Sequence, residues 1–196
     1  LISIFAGILI PIIILMLWFF FNNKIHVVED ITDRIDISVL TEVPYVKSFD
    51  ASEIKDISDG SRLPLIESVR MLIANLKYSL INTDKTQESK CILVTSSIKG
   101  EGKTIVSTTL SKVLSFNKKT ILIGADLRNP QVHKFLDVKK SDFKGLSEYI
   151  YDKDLSINDV IIKNDKLDIV LSGSIPPNPS ELLESKKFSN LIKELK

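Results

Sequence analysis

The sequence predicts a doubly wound, mostly parallel α/β domain built on a phosphate-binding loop and carried behind one membrane helix. Three observations predict it. A short apolar run, Cys91 to Val94, of the kind that fits a strand buried on both faces, leads through a loop with two glycines into Lys103-Thr104 and a helical pattern over 105–116. Further β runs at 121–123 and 167–171 alternate with helical patterns, the order that gives a parallel sheet with crossover helices. The first 21 residues carry no charge and are apolar except for Ser3.

In chain order, Leu1 to Phe21 comes first. At about 1.5 Å per residue such a helix spans roughly 30 Å, the thickness of a bilayer's hydrocarbon core. Gly7 and Pro11 are tolerated in membrane helices, and Trp18 with Phe19, Phe20 and Phe21 sits where an aromatic belt lies. A signal peptide would show a basic start and a small-residue cleavage site, and a soluble core helix would show a polar face. The sequence shows neither. Lys24 and Arg34 follow the span together with Glu29, Asp30, Asp33 and Asp36, so charge alone sets no orientation. A loop that binds ATP sets it instead, with the C-terminal side in the cytosol.

Residues 22–62 read as a juxtamembrane segment and linker. Ile25, Val28, Ile31 and Ile35 have helical spacing, Val39-Leu40 and Val43 to Val46 look extended, and 51–62 is polar. Leu65 to Ile81 is an amphipathic helix with Leu65, Val69, Leu72, Leu76 and Leu80 on one stripe and Pro64 near its start. Glu67 and Arg70 lie three apart on its surface, and spacing alone makes them an ordinary solvated pair. A polar loop, 83–89, leads to the apolar run that ends in the glycine loop.

That loop carries the chemistry. Glycine lets backbone N–H groups turn toward a phosphate, and the following helix N-terminus adds positive charge. The usual pattern is GxxxxGK[ST]; Ser97 stands at its first position, while Gly100-Glu101-Gly102-Lys103-Thr104 is intact. In a P-loop NTPase-like fold Lys103 reaches the β- and γ-phosphates and the Thr104 hydroxyl ligates Mg²⁺. One βαβ unit later, Ile121-Leu122-Ile123 ends in Gly124-Ala125-Asp126. A carboxylate just past a strand's C-terminal end lies on the ligand side of an open sheet. Asp126 could hold a Mg²⁺-bound water or accept a proton, or it could cap a loop; the P-loop beside it favours the former. Helical patterns follow in 131–136 and 146–162. Gly173 to Pro179 forms a rigid loop, and Ser180 is placed to cap the helix that starts there.

Composition bounds the rest. With 26 Lys+Arg against 25 Asp+Glu in 196 residues, the net charge is +1, which offers nothing to nucleic acid. A single cysteine allows no internal disulfide and suits a reducing cytoplasm. His26 and His133 are isolated, and no Cys/His cluster suggests zinc. The start at Leu1 and the stop in a polar helical pattern at Lys196 read as a piece of a longer protein.

The P-loop together with Ile121 to Pro130 resembles the bacterial protein-tyrosine kinases, the membrane autokinases of capsule and exopolysaccharide export. The resemblance also covers Leu40-Thr41-Glu42-Val43-Pro44, Glu67-Ser68-Val69-Arg70 with Asn75-Leu76, Gly145-Leu146-Ser147, and Gly173 through Leu183. It implies a kinase domain over 63–196, behind a span over 1–21, that transfers the ATP γ-phosphate to tyrosines on a neighbouring copy. It implies ATP and Mg²⁺ as cofactors, held by Ser97, Gly100, Glu101, Gly102, Lys103 and Thr104, with Asp126 and Arg128 in a second Walker motif over 121–128. Assembly would use Glu67 and Arg70. Partners would be further copies, the inner membrane and the polysaccharide export machinery, with the kinase domain facing the cytoplasm. The chain departs from the family at Gly124, where a second aspartate is common, and at Ile73, where the assembly motif has an arginine. A Walker B strand and a tyrosine cluster would follow residue 196, and a periplasmic chain-length domain would precede residue 1. Two rivals stand beside this reading. One is an ATPase of the partition and cell-division type, which carries a lysine five residues before the P-loop lysine; Ile98 is there, with Lys99 one residue off. The other is a non-catalytic, nucleotide-gated assembly module.

Overall fold

In a computed structural model the chain forms two units, residues 1–40 and 41–196. The structure describes residues 2–21, 25, 27–46, 57–80, 89–136, 138, 143–164 and 166–196. Lys24, His26, residues 51–56 of the polar linker, Ile81 and nearly all of the 83–89 loop lie outside these residues.

In the first unit, α1 runs Ile2–Phe21 without interruption at Pro11. Its described side chains are exposed on every side, Trp18 and Phe20 among them, so no face of it is polar. It is long and apolar enough to cross a membrane. A single helical turn, α2, follows at Glu29–Thr32.

The second unit begins with residues that adopt neither helix nor strand through 46, so the extended pattern around Val43 to Val46 forms no ladder. Helix α3, Pro64–Leu80, starts on a proline whose missing N–H costs nothing there. It packs Leu65, Ile66 and Val69 against Leu110 and Val113 of α4, Lys103–Ser115, with Ile57 in the same cluster. The expected stripe is buried only at its start: Leu80 at the far end is exposed, and Ile66 joins the core in its place.

Among the described residues the sheet has three strands: β1 Thr120–Ile123, β2 Ile161–Ile162 and β3 Leu167–Val170, in the order β1-β3-β2. β1 pairs with β3 in parallel, and β2 pairs with β3 antiparallel. Alternate residues of β3 serve different cores. Leu167 and Ile169 join Leu122 and Val132, whereas Val170 joins Leu146, Tyr149, Leu182 and Leu191. These come from α5 Val132–Phe135, α6 Leu146–Tyr151, α7 Pro179–Glu184 and α8 Lys186–Glu194.

Three expectations are corrected. The run Cys91–Val94 is not a buried strand. Cys91 is exposed, Leu93 is 83% exposed, and only Val94 leans on the α3–α4 core. A strand apolar on both faces needs neighbours on both edges, and none of the described strands pairs with this one. The helical pattern over 146–162 breaks after Tyr151, and its end becomes a 3₁₀ turn, Ile157–Asp159, and β2. Ser180 does not cap α7; Asn178 takes that position with Pro179 behind it, because proline favours the first helical residue.

One close approach ties the helices to the sheet. Leu146 N donates to Leu171 O at 2.8 Å and Ser147 N to Ser172 O at 3.0 Å, which extends β3's C-terminal end sideways into α6. Ser147 Oγ donates to Ser172 O and Ser174 O. A Cβ on Gly145 would lie 2.5 Å from Gly173 Cα and 2.6 Å from Leu171 O, and Gly173 itself has φ +79°. Glu148 completes the contact by accepting from Gly145 N and Ser174 N, each at 2.8 Å. Burial pushes its carboxyl up, but the hydrogen bonds from Ser174 and Gly145 outweigh this and hold it below the ordinary range.

Gly173→Ala is expected to lower stability by about 2 kcal/mol through strain and crowding. Gly60→Ala, where a Cβ meets nothing, should change it by less than about 0.5 kcal/mol. Urea denaturation of both variants checks this. Glu148 also predicts a pH dependence. A depressed folded pKa contributes stability that is present above the ordinary carboxyl pKa and lost as pH falls through the folded value. Glu148→Gln should therefore cost about 1 kcal/mol at pH 7, discounted for its partial exposure. The gap to the parent should close as pH falls below about 4. Denaturation midpoints across pH measure it.

Candidate nucleotide site

Two glycines shape the loop before α4. Gly100 has φ +94° and Gly102 φ +88°, conformations that side chains rarely adopt, and a Cβ at either would meet nothing within 4 Å. Both are therefore required by backbone turn rather than by crowding, and the space before them is open. Gly102 is the residue that starts α4, and its carbonyl accepts from Val106 N at 2.9 Å. The helix is 13 residues long, so its first N–H groups, unpaired within the helix, face the loop with the positive end of the dipole. The loop also holds itself. Glu101 accepts from Ile98 N at 3.1 Å, and Ser96 Oγ donates to Ile98 O at 2.9 Å. Glu101 thus acts first on its own backbone. Ser97 lies in the turn and is exposed.

Lys103 and Thr104 are the first two residues of α4, both partly buried. The Thr104 carbonyl accepts from Ser107 Oγ and Thr108 Oγ1. Among the described residues neither Lys103 Nζ nor Thr104 Oγ1 makes a hydrogen bond. Both polar tips are thus available to a phosphate and its metal.

The second part of the site lies at the C-terminal end of β1. The α4 C-terminus sits beside the start of β3, where Lys166 Nζ donates to Phe116 O at 3.2 Å. Its N-terminus therefore points toward the strands' other end, where residues 124–128 lie. Asp126 Oδ1 accepts from Arg128 N at 3.2 Å and Asn129 N at 2.9 Å, a turn-capping arrangement. Capping uses one carboxylate oxygen; among the described residues the second makes no hydrogen bond. Leu127, 1% exposed, anchors the turn in the core, so Asp126 is fixed on both sides. Arg128 is exposed and its Nη2 donates to Ser180 Oγ at 3.2 Å. Ser180 thus serves the loop across from it rather than its own helix, a role that sequence spacing could not show.

Gly124 is crowded. A Cβ there would lie 2.9 Å from Ser172 Oγ, 3.2 Å from Ser172 N and 3.4 Å from Val170 O. The Ser172 hydroxyl is buried and makes no hydrogen bond. In this chain the space for a second acidic side chain is occupied by serine.

Glu67 and Arg70 do form their pair, at 2.6 Å. Arg70 does more than the spacing suggested. Its Nη1 also donates to Ser61 O at 2.8 Å and its Nη2 to Asp59 O. The guanidinium therefore straps residues 59–61 of the linker onto α3. Ile73, one turn on, lines a groove with Lys77, Val113, Leu114 and Lys118. 

No family model matches the chain. Tyrosine-protein kinase etk of Escherichia coli K12 is 36% identical over 130 residues, 65% of this chain and 17% of that protein. Tyrosine-protein kinase YwqD of Bacillus subtilis is 35% identical over 130 residues, 65% of this chain and 52% of that protein. Tyrosine-protein kinase wzc of Salmonella typhi is 27% identical over 209 residues, 97% of this chain and 28% of that protein. The chain thus spans at most about half of these relatives. Among solved structures, the kinase domain of the Escherichia coli tyrosine kinase ETK matches with a TM-score of 0.70 at 27% identity, over 88% of this chain and 69% of that one. The chimerical protein CapA2B2 matches with a TM-score of 0.68 at 26% identity, over 85% and 69%.

Arg70→Ala should destabilise the chain by about 1 kcal/mol, since two carbonyls lose a charged donor and the exposed ion pair adds little. Glu67→Ala should change stability by less than about 0.5 kcal/mol. Thermal denaturation of the two variants separates the strap from the salt bridge.

Proposed function

We propose that the chain, like the curated relatives it matches, belongs to the bacterial tyrosine-protein kinases, and that it is the nucleotide-binding part of an ATP-dependent tyrosine autokinase that regulates capsular or exopolysaccharide chain length and export. The observation that carries this reading is the loop over 97–104, with its two positive-φ glycines in front of Lys103-Thr104, in a chain whose relatives are named tyrosine kinases. ATP supplies the γ-phosphoryl group and Mg²⁺ neutralises its charge.

The residues present fit these groups. The backbone N–H groups of Gly100, Glu101, Gly102 and Lys103 cradle phosphate, with Ser97 at the loop's entrance. Lys103 Nζ would neutralise the terminal phosphates beside the α4 N-terminus, and Thr104 Oγ1 would be a ligand to the metal. Asp126, held by its turn, orients water or the incoming hydroxyl with its second oxygen. Arg128 stands beside it and adds positive charge, positioned by Ser180. With Gly124 in place of an acid, Asp126 is the one carboxylate of the 121–128 motif placed for that task. Catalysis by such a site is mostly positioning and charge neutralisation.

The rest of the reading concerns context. Helix α1 crosses the bacterial inner membrane and leaves 41–196 in the cytoplasm, the compartment that supplies ATP. Further copies meet through the face around Glu67 and Arg70 and phosphorylate one another. The export machinery is the larger partner. A doubly wound, mostly parallel sheet forms when a further strand pairs with 91–94, whose open edges and exposed apolar side chains suit such a neighbour. The partition-type ATPase and the non-catalytic module remain the rivals; both predict no phosphotyrosine.

Lys103→Met in the full-length protein should lower autophosphorylation by at least about a hundredfold while leaving the circular-dichroism spectrum unchanged. Parent-level phosphotyrosine in that variant would overturn the reading. A second measurement addresses the sheet. The Cys91 thiol should react with a maleimide at the rate of a free thiol in residues 1–196 and at least about tenfold more slowly in a chain extended past residue 196, since burial in a sheet blocks access. Equal rates would show that 91–94 stays unpaired.

A further inference from the structure

We propose that Tyr151 is a phosphoacceptor site, and that phosphate there releases the loop and helix that position Arg128. The inference rests on the kinase reading for its phosphate donor. The four tyrosines differ in what surrounds them. Tyr149 is 6% exposed, with Lys187 Nζ 4.4 Å from its ring centroid, so little of it meets solvent. Tyr45 and Tyr78 are open to solvent, and among the described residues their hydroxyls hold nothing. Tyr151 alone combines access with a connection. It is 53% exposed at the last position of α6, and its hydroxyl donates to Asn178 Oδ1.

Asn178 works with both ends of its amide. Oδ1 accepts from Tyr151, and Nδ2 donates to Glu181 Oε2 at 2.7 Å. Asn178 is also the residue that starts α7, and the second residue of α7, Ser180, accepts from Arg128. A chain of side chains thus runs from Tyr151 through Asn178 and α7 to the loop that carries Asp126 and Arg128. Phosphorylation forms a bond from the Tyr151 phenol oxygen to the γ-phosphorus of ATP. The bond to ADP breaks, ADP leaves with the electron pair, and the phenol proton passes to water. The product has no donor at that oxygen and carries about two negative charges. It cannot bond Asn178 Oδ1, which only accepts. If the amide turns to offer Nδ2 instead, the bond to Glu181 is lost, and the Glu181 carboxylate then confronts the phosphate. Either way one of the two links breaks. Lys187, the cation beside this end of α6, donates to the Asp152 carbonyl at 2.5 Å and covers Tyr149.

The test uses the full-length protein in detergent with ATP and Mg²⁺. Trypsin cuts after Lys144 and Lys153, so the peptide over 145–153 carries both Tyr149 and Tyr151, and fragmentation tells them apart. Phosphate on Tyr151 in the parent and its absence in Lys103→Met is the expected result. Phosphotyrosine elsewhere with none on Tyr151 overturns the site and leaves the kinase reading standing. No phosphotyrosine anywhere overturns both. The release is read separately by amide hydrogen exchange over 176–184. Exchange should be about tenfold faster in the phosphorylated protein, the change expected for one lost hydrogen bond, and Tyr151→Phe without ATP should show part of it. Unchanged exchange in the phosphorylated protein overturns the release.

Discussion

The contact on which the 41–196 unit depends is the one between two backbones at Gly145 and Gly173. Most helices reach a sheet through side chains at about 10 Å. Here α6 enters by hydrogen-bonding its first residues to the chain leaving β3, which brings backbone against backbone and leaves no room for a Cβ on either glycine. Leu146 and Tyr149 are thereby set into the core under Val170, and Leu182 and Leu191 of α7 and α8 close over them. Glu148 stabilises this arrangement because its carboxylate takes two N–H groups that the close approach would otherwise strand.

Legibility in the sequence followed locality. The glycine loop, the long apolar helix, α3 and the β1 and β3 runs were all readable, because each is fixed by a period or a turn within about 20 residues. The Arg70 strap was not, because it depends on carbonyls nine and eleven residues away, and a carbonyl has no signature in sequence. Ser180 was misread for a similar reason: a serine before a helical pattern looks like a cap, and its partner Arg128 lies 52 residues off. The run 91–94 was read as a buried strand, and in the structure it is neither a strand nor buried. Composition reports what a segment can tolerate, whereas burial needs partners that the segment does not itself supply. The break after Tyr151 was missed because Asp152-Lys153-Asp154 is as compatible with a helix surface as with a turn.

For the site, the sequence carried the residue types and the structure added their constraints. Gly100 and Gly102 turned out to be needed for turn geometry with open space ahead, which suits an approaching anion. Glu101, expected among the residues that hold ATP, braces the loop through Ile98 N. Asp126 caps its turn with one oxygen, the alternative that the sequence ranked second, and its other oxygen makes no hydrogen bond among the described residues.

Gly124 and Ser172 share one small volume at the end of the strands. A Cβ at 124 would press on the Ser172 hydroxyl, with Ser172 N and Val170 O close behind it. That hydroxyl is itself buried without a hydrogen bond. An acid at 124 therefore requires the hydroxyl to turn away or a smaller residue to stand at 172. The two positions are coupled, so their substitutions do not contribute independently.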